Sequence, residues 1–188
     1  MKEIYTIGYA GYRNPEEMTD VLKKYNVTCL IDIRSVPYST YHADFNKDAL
    51  IKTLKKENIV YRHYAREFGA RQKEFMTENK YVDFEAFAKS EQFIDGINKV
   101  TRAIELGYVV VLMCAEKDPK DCHRSILIGK EMKNYDFHVK HIIYPDQIET
   151  QEQMEERCIE RQISMFDLSD PRETFYREQA LKIAYRME

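Results

Sequence analysis

The sequence predicts an α/β domain with a mostly parallel central sheet, helices on both faces and a C-terminal tail or peripheral helix. Strand-like and helix-like patterns alternate along most of the 188-residue chain, which is typical of this class. Two strand-like runs, residues 27–33 and 108–113, are nearly all apolar, as in strands that are covered on both faces. Hydrophobic residues make up 44% and charged residues 32%, the balance of a globular protein.

Each element follows from a local pattern. Strands are predicted at residues 3–7, 27–33, 59–61, 108–113 and 139–143. The first helix begins with Asn14 as its N-cap and Pro15 at the first helical position, and residues 62–80 are predicted to be irregular. Further helices are predicted after Asn46, within residues 81–106 as one or two helices, and at residues 122–134.

A change in composition near residue 145 predicts the domain boundary. Residues 1–145 carry the alternating strands and helices of an α/β domain. Residues 146–162 hold six acidic and two basic side chains on a stripe of low hydrophobicity. Residues 146–188 are therefore predicted to form a C-terminal tail or peripheral helices, with a short final helix after Pro171.

Charge, hydropathy and cysteine content exclude several classes. No apolar run approaches the about 20 residues of a membrane span, and the N-terminus lacks the apolar region of a signal peptide. Four cysteines are too few for a disulfide scaffold. The net charge of −3 means that any contact with nucleic acid needs a local basic patch. We expect a cytoplasmic protein without membrane contacts.

Polar side chains follow the predicted strands at their carboxyl ends, where ligands bind in open α/β sheets. These side chains are Asp32, Arg34 and Ser35 after the second strand, His63 after the third, and Cys114 and Glu116 after the fourth. Cys122 and Arg124 follow at the start of the next helix. We expect Asp32, Arg34, Cys114, Glu116, Cys122 and Arg124 to line one cleft.

The segment from Cys114 to Ser125 holds the highest density of reactive side chains. Asp121 is predicted to cap the helix, which places Cys122, His123 and Arg124 in the first helical turn. A helix N-terminus lowers the pKa of a thiol and binds anions, so at least one cysteine is expected to titrate below the about 8.5 of a free thiol. The structural alternative is that both cysteines are small buried side chains.

This reasoning assigns candidate roles. Cys114 or Cys122 is the nucleophile, and His63 or Glu116 transfers protons. The substrate-binding residues are Asp32, Arg34, Ser35, His123 and Arg124. Among these, Arg34 and Arg124 would hold an anionic group, and Asp32 would orient Arg34.

Several motifs resemble those of the DUF488 family, which is named for its unknown function. They are Thr6-Ile-Gly8, Asp32-Ile-Arg-Ser35 with Pro37, Phe45-Asn-Lys47, and above all Met113-Cys-Ala-Glu116 with Cys122-His-Arg-Ser125. The resemblance covers roughly residues 3–143 and implies an α/β domain with a shared cysteine-containing site. The sequence departs from the family at Tyr9, where relatives carry His, so a role for that His is not transferred.

A weaker resemblance connects the same region to rhodanese domains and cysteine phosphatases. Residues 30–34 are similar to the Asp-Val-Arg strand end of rhodaneses, and a cysteine loop before a helix is common to both groups. Nine residues separate Cys114 from Arg124, more than in those loops, and Lys120 stands at the usual distance. This similarity is an analogy.

Metal binding is a second interpretation of the cysteine segment, although no cofactor is the favoured expectation. Cys114, Cys122 and His123 are suitable soft ligands, with Glu116 or His63 as a fourth, but the spacing matches no standard zinc pattern. A regulatory disulfide between Cys114 and Cys122 is a third interpretation. Cys29 is predicted to be inert core, and Cys158 has no evident partner.

Residues 52–73 contain seven bases and two acids, which favours a nucleic-acid contact. His63 and three aromatic side chains, Tyr61, Tyr64 and Phe68, lie among these bases. Basic side chains bind phosphates, and aromatic side chains stack on the unpaired nucleobases of single strands. The alternative is a solvated helix face followed by a loop.

Residues 162–166, Gln-Ile-Ser-Met-Phe, resemble the peptide by which bacterial replication and repair proteins dock on the DNA sliding clamp. In such a peptide Met165 and Phe166 would fill an apolar pocket and Gln162 would fix the end by hydrogen bonds. The alternative is that this segment covers the surface of the domain.

The leading hypothesis is a cysteine-dependent hydrolase or transferase that acts on a phosphate-bearing or nucleic-acid substrate. The alternative is a non-catalytic nucleic-acid or clamp-associated module whose cysteine loop is structural or binds a metal.

Overall fold

A computed structural model describes residues 1–159 and 170–187 of the chain. Its strands are β1 (Lys2–Gly8), β2 (Cys29–Asp32), β3 (Val60–His63), β4 (Val110–Cys114), β5 (Phe137–Ile143) and β6 (Gln147–Thr150). In the described ranges they form one sheet in the order β3-β2-β4-β1-β5-β6. All neighbouring pairs are parallel except β5 and β6, which are antiparallel. The predicted α/β class with a mostly parallel sheet is confirmed.

The helices connect these strands in chain order. They are α1 (Pro15–Lys24), α2 (Lys47–Lys56), α3 (Ala65–Phe68), α4 (Phe84–Ala88), α5 (Glu91–Glu105), α6 (Lys130–Met132), α7 (Gln151–Ile159) and α8 (Pro171–Ile183). A π-helical turn, Arg124–Gly129, leads into α6. Asn14 caps α1 as predicted, because its side chain accepts a hydrogen bond from the Glu17 N–H at 2.8 Å. Asn46 instead accepts from the Ser39 N–H, at 2.6 Å, and so holds the loop before α2.

Apolar side chains cover both faces of the sheet. In β4, Val111 and Met113 point to the face that is covered by α1 and α2, and Val110 and Leu112 point to the face that is covered by α5. This alternation follows from the period of two in a strand. Both faces of the sheet are therefore covered at β2 and β4, and every residue of these two strands is buried.

The region after residue 145 adds to the sheet and covers one end of it. β6, which the sequence analysis did not predict, pairs with β5, and α7 and α8 pack on the π-helical turn through a separate apolar cluster. This cluster consists of Ile126, Met154, Cys158, Phe175 and Tyr176. The domain boundary at residue 145 stays a prediction. Among the described residues, no helix combines the length and the apolarity that crossing a membrane requires.

The register of the parallel strands aligns their carboxyl ends. Gly8 at the end of β1 is level with Cys114 at the end of β4, and Asp32 at the end of β2 is level with Met113 and with His63. The polar residues that follow these strands therefore meet at one side of the sheet, which we call the carboxyl edge.

Candidate functional site

Four side chains meet beyond β4 and form what we call the sulfur cluster: Cys114, Glu116, Cys122 and His123. The Cys114 thiol donates a hydrogen bond to Glu116 Oε2 at 3.0 Å. His123 Nδ1 lies 3.7 Å from Cys114 Sγ and 3.9 Å from Cys122 Sγ. The two sulfur atoms and a ring nitrogen of His123 all lie within 4.8 Å of one another. The sequence analysis singled out all four side chains, and the structure brings them together.

The cluster is tied to the neighbouring strand through His123. Its Nε2 lies 3.2 Å from the carbonyl oxygen of Ile33, which follows β2. Since a carbonyl oxygen only accepts hydrogen bonds, Nε2 carries a proton, and Nδ1 is the ring nitrogen that faces the two sulfur atoms. Three of its side chains are nearly inaccessible to solvent, with 3% of Cys114, 1% of Cys122 and 6% of His123 exposed. Glu116 is exposed.

The helix that follows the cluster begins differently from the prediction. Asp118, and not Asp121, is a cap: its side chain accepts from the Lys120 N–H at 3.0 Å and starts a short 3-10 turn at Pro119. Cys122 has an extended backbone and itself stands at the helix start. Its sulfur accepts from the Arg124 N–H at 3.4 Å. The thiol, rather than a carboxylate, therefore receives a backbone N–H of the first turn.

The two thiols have opposite acidities. Burial opposes charge at Cys122, but the contact with Cys114, the positive charge of Arg124 and the contact with His123 outweigh it and lower the pKa of the Cys122 thiol well below its ordinary value. The contact with Cys122 and burial raise the pKa of Cys114 well above that value. Burial and the neighbouring Cys122 also raise the pKa of Glu116.

A buried arginine–carboxylate pair lies beside the cluster. Arg34 Nε donates to Asp32 Oδ1 at 2.9 Å, and Arg34 Nη2 donates to Asp32 Oδ2 at 2.6 Å. Nη2 also reaches the Phe45 carbonyl at 3.0 Å, and the Tyr61 hydroxyl donates to Asp32 at 2.8 Å. Arg34 Nη1 is buried and has no hydrogen-bond partner in residues 1–159 and 170–187. The predicted orientation of Arg34 by Asp32 is present in this geometry.

A family model matches residues 14–130 of this chain, and its description is "Domain of unknown function DUF488". The chain belongs to the DUF488 family. Comparisons with curated proteins and with solved structures gave no match. The matched range contains the Asp32–Arg34 pair and the whole sulfur cluster. The match establishes the family but indicates no reaction. The weaker resemblances to rhodanese and cysteine-phosphatase loops stay analogies.

Arg124, the last residue of the DUF488 Cys-His-Arg signature, holds the loop that carries Glu116. Its Nη1 donates to the Glu116 carbonyl at 2.6 Å and its Nη2 to the Lys117 carbonyl at 3.1 Å. A Cβ at Gly8 would lie 1.7 Å from that Glu116 oxygen, so a side chain at Gly8 would displace the loop. Two of the donors of Arg124 are thus engaged by backbone, and its predicted role as a substrate anchor stays a prediction.

Two other predicted site residues reach the DUF488 site only indirectly. His63 Nε2 lies 2.8 Å from the Arg34 carbonyl oxygen, so this ring contacts the backbone of Arg34. Ser35 Oγ accepts from the Arg71 N–H at 2.9 Å and fastens a neighbouring loop. Their predicted roles in proton transfer and substrate binding remain untested.

Two aromatic rings lie beside Arg34. The Tyr9 ring stacks on Phe45 at 4.6 Å between centroids, and the guanidinium of Arg34 lies 5.1 Å from the centre of the Tyr9 ring. Tyr9 directly follows β1, so its position at the end of a strand is visible in the sequence. Tyr61, which was assigned to the basic segment, instead bonds to Asp32.

The two predicted macromolecular contacts have little structural support. In the basic segment at residues 52–73, Phe68 is fully buried and the Tyr61 hydroxyl is bound to Asp32. Arg62, Arg66 and Arg71 are exposed. The clamp-peptide residues Gln162, Met165 and Phe166 lie outside the described residues, so their role stays a prediction.

Proposed function

We propose that the chain is a cysteine-dependent enzyme, a hydrolase or transferase, whose substrate carries a phosphate group. The observation that carries the proposal is the buried Arg34 Nη1, a charged donor for which the described residues offer no hydrogen-bond partner, beside a cluster of two cysteines, a histidine and a glutamate.

The anion argument rests on how Arg34 is held. A buried polar donor without a hydrogen bond costs free energy, so an unpartnered guanidinium nitrogen marks a position where a ligand oxygen restores the bond. Asp32 fixes the guanidinium plane through two hydrogen bonds, and the Tyr9 ring lies next to it. Arginine binds phosphate oxygens with a rigid planar set of donors, and phosphate is therefore the favoured ligand class.

The reactive centre is the sulfur cluster. Two roles are open to the sulfur atoms: attack on the substrate by a thiolate, and coordination of a metal that activates water. Glu116 contacts Cys114 directly and has a raised pKa, which suits a group that exchanges a proton during a reaction. The proposed function requires that the reaction depends on Cys114 and Cys122 in either role.

Phosphate binding tests the anion site without knowledge of the full substrate. Calorimetric titration with inorganic phosphate and with a nucleoside monophosphate should give binding that Arg34→Lys weakens at least about tenfold, because Lys lacks the planar set of donors. Arg62→Lys, at an exposed arginine of the neighbouring strand, is the matched control. Equal affinity of the Arg34→Lys variant and the wild type contradicts the anion site.

Turnover tests the cysteines. Phosphate monoesters, diesters and single-stranded oligonucleotides are incubated with the chain, and products are followed by phosphorus NMR. Cys114→Ser and Cys122→Ser should each lower the rate at least about hundredfold and leave phosphate binding intact, while Cys158→Ser, outside the cluster, retains activity. Full rates in both cluster variants contradict cysteine dependence.

A further inference from the structure

We infer that the sulfur cluster is a zinc site in which Cys114 Sγ, Cys122 Sγ and His123 Nδ1 are the three protein ligands and water takes the fourth position beside Glu116. This inference rests on the proposed function, since it specifies how the two cysteines take part in the reaction.

The distances from the histidine nitrogen to the two sulfur atoms match tetrahedral coordination. With Zn–S bonds of about 2.3 Å and Zn–N bonds of about 2.1 Å, the corners of the tetrahedron lie about 3.6–3.8 Å apart. His123 Nδ1 lies 3.7 Å from Cys114 Sγ and 3.9 Å from Cys122 Sγ. The two sulfur atoms lie within 4.8 Å of each other, so they would approach by at most about 1 Å to close the site around an ion.

The surroundings orient the ligands as zinc sites do. Since His123 Nε2 donates a hydrogen bond to the Ile33 carbonyl, Nδ1 is left as the coordinating nitrogen. Zinc-bound histidines usually make such a hydrogen bond with their second ring nitrogen. The Arg124 N–H lies 3.4 Å from Cys122 Sγ and partly neutralises a thiolate there. Two thiolates and a neutral imidazole balance the charge of Zn²⁺, so the ion and its ligands can be buried together.

Burial favours coordination over direct attack by a thiol. With 3% of Cys114 and 1% of Cys122 exposed, neither sulfur atom offers a surface to an incoming substrate. A metal ligand needs no such exposure, and sulfur with imidazole nitrogen is a donor set that selects zinc over magnesium or calcium.

Glu116 lies where an acid–base group would act on the water. Its carboxylate touches Cys114 at 3.0 Å, but it is not among the groups that lie within 4.8 Å of one another, so the fourth position is left to water. Three protein ligands with an open position are typical of catalytic zinc, and a glutamate outside the ligand set takes the water proton in such sites. In a hydrolysis, the zinc-bound water adds to the electrophilic atom of the substrate, the bond to the leaving group breaks, and Glu116 passes the proton to that group.

Metal content and cobalt substitution test the site. The purified wild type should carry one zinc per chain by atomic spectrometry, and the metal-free chain titrated with Co²⁺ should show tetrahedral visible absorption and a thiolate-to-cobalt charge-transfer band. Cys114→Ser, Cys122→Ser and His123→Ala should weaken zinc affinity at least about hundredfold. Cys158→Ser and Glu116→Gln should keep the stoichiometry of one. Circular dichroism checks that each variant is folded.

A measurement on the wild type keeps the test independent of variant folding. Removal of zinc with a chelator should make two further thiols reactive towards a disulfide reagent. In a separate experiment on the zinc-loaded chain, modification of two thiols should release one zinc. Failure of the metal-free chain to bind Zn²⁺ or Co²⁺, or an equal loss of binding in Cys158→Ser, overturns the zinc site.

The two proposals fail in different ways. Phosphate binding and cysteine-dependent turnover in a chain that holds no zinc overturn the zinc site and leave the proposed function standing. One tightly bound zinc in a chain that binds no phosphate and turns over no phosphate ester supports the zinc site and overturns the proposed function.

Discussion

His123 and His141 are both buried beside the central sheet, but their rings have opposite surroundings. His141, on β5, has Thr6 Oγ1 at 2.7 Å from Nδ1 and Gln151 Oε1 at 2.9 Å from Nε2. Burial, with the positive charge of Arg124, lowers its pKa to about 3. At His123, burial also disfavours the charge, but the hydrogen bond with Cys122 and the charge of that thiol raise the pKa. The surroundings thus keep the His141 ring neutral and favour the charged form of the His123 ring.

The same contrast holds for the groups around each histidine. We call Thr6, His141, Gln151, Tyr176 and Glu155 the His141 network, in which each side chain bonds to the next. Three side-chain atoms are buried without a hydrogen-bond partner within the described part of the chain: Arg34 Nη1 and Arg124 Nε at the carboxyl edge, and Gln179 Oε1 on α8. The two cationic ones both lie at the carboxyl edge, whereas each member of the His141 network is hydrogen-bonded.

The His141 network also supports the backbone at the carboxyl edge. Gln151 Nε2 donates to the Ser125 carbonyl, at 3.3 Å, within the π-helical turn that follows Cys122. A Cβ at Gly129 would lie 2.2 Å from Gln151 Oε1, so the glycine gives the glutamine room beside this turn. The His141 network thus holds the backbone that positions Cys122 and Arg124.

Removal of Asp32 should have the largest effect on stability, because it leaves the Arg34 charge buried without its carboxylate. We expect Asp32→Ala to lower the free energy of unfolding by about 3–5 kcal/mol in urea denaturation. Asp20→Ala, at an exposed aspartate that pairs with Lys23, should change it by less than about 0.5 kcal/mol.

The double variant Asp32→Ala/Arg34→Met sharpens this result. It removes the buried charge together with its partner, so it should be more stable than Asp32→Ala alone. A double variant that is no more stable than Asp32→Ala would mean that Arg34 is not a strained buried charge, and the contrast between the two regions would lose its basis.

Removal of Gln151 should have the next largest effect, and on the other region. Gln151→Ala leaves His141 Nε2 and the Ser125 carbonyl with one hydrogen bond fewer each, so we expect a loss of about 2–3 kcal/mol in the free energy of unfolding. Glu156→Ala, at an exposed position of the same helix, is the control. Zinc stoichiometry should not change in Gln151→Ala. If Gln151→Ala lost zinc but kept native stability, Gln151 would belong to the zinc site itself and would not merely support its backbone.

The residues at the carboxyl edge could be predicted from the sequence better than the packing contacts that hold them in place. Apolar runs identify the parallel strands, and strand ends identify Asp32, Arg34 and Cys114, because both signals are local. β6 was missed, since its residues Gln147–Thr150 form a short edge strand with little apolar character. The placement of Gln151 against Ser125 and Gly129 depends on packing between distant segments, which no local pattern encodes.

Helix capping was predicted well where one side chain decides it and poorly where several compete. Asn14 before Pro15 left a single candidate, and the cap is as predicted. Before the π-helical turn, Asp118 and Asp121 were both available, and Pro119 fixed the backbone so that Asp118 capped first. That early turn is what left Cys122, a residue with little cap preference, at the helix start.

Acid titration of stability should separate the His141 network from the carboxyl edge through an effect that grows gradually with pH. The unfolded chain protonates His141 near its ordinary pKa of 6.5, whereas the folded chain keeps it neutral until the pKa of about 3. Below pH 6.5 the unfolded state therefore binds more protons, and stability is lost as the pH falls towards 3, by about 1.4 kcal/mol per pH unit from this residue.

The variant His141→Gln isolates that contribution, because its side chain is neutral at every pH. Wild type and variant should differ most in the free energy of unfolding above pH 6.5 and converge as the pH falls to about 3.5, as measured by urea denaturation at each pH. If His141→Gln instead runs parallel to the wild type, His141 titrates alike in both states. The closed hydrogen bonding of its network would then not be what keeps the ring neutral, and the distinction from His123 would have to rest on the sulfur atoms alone.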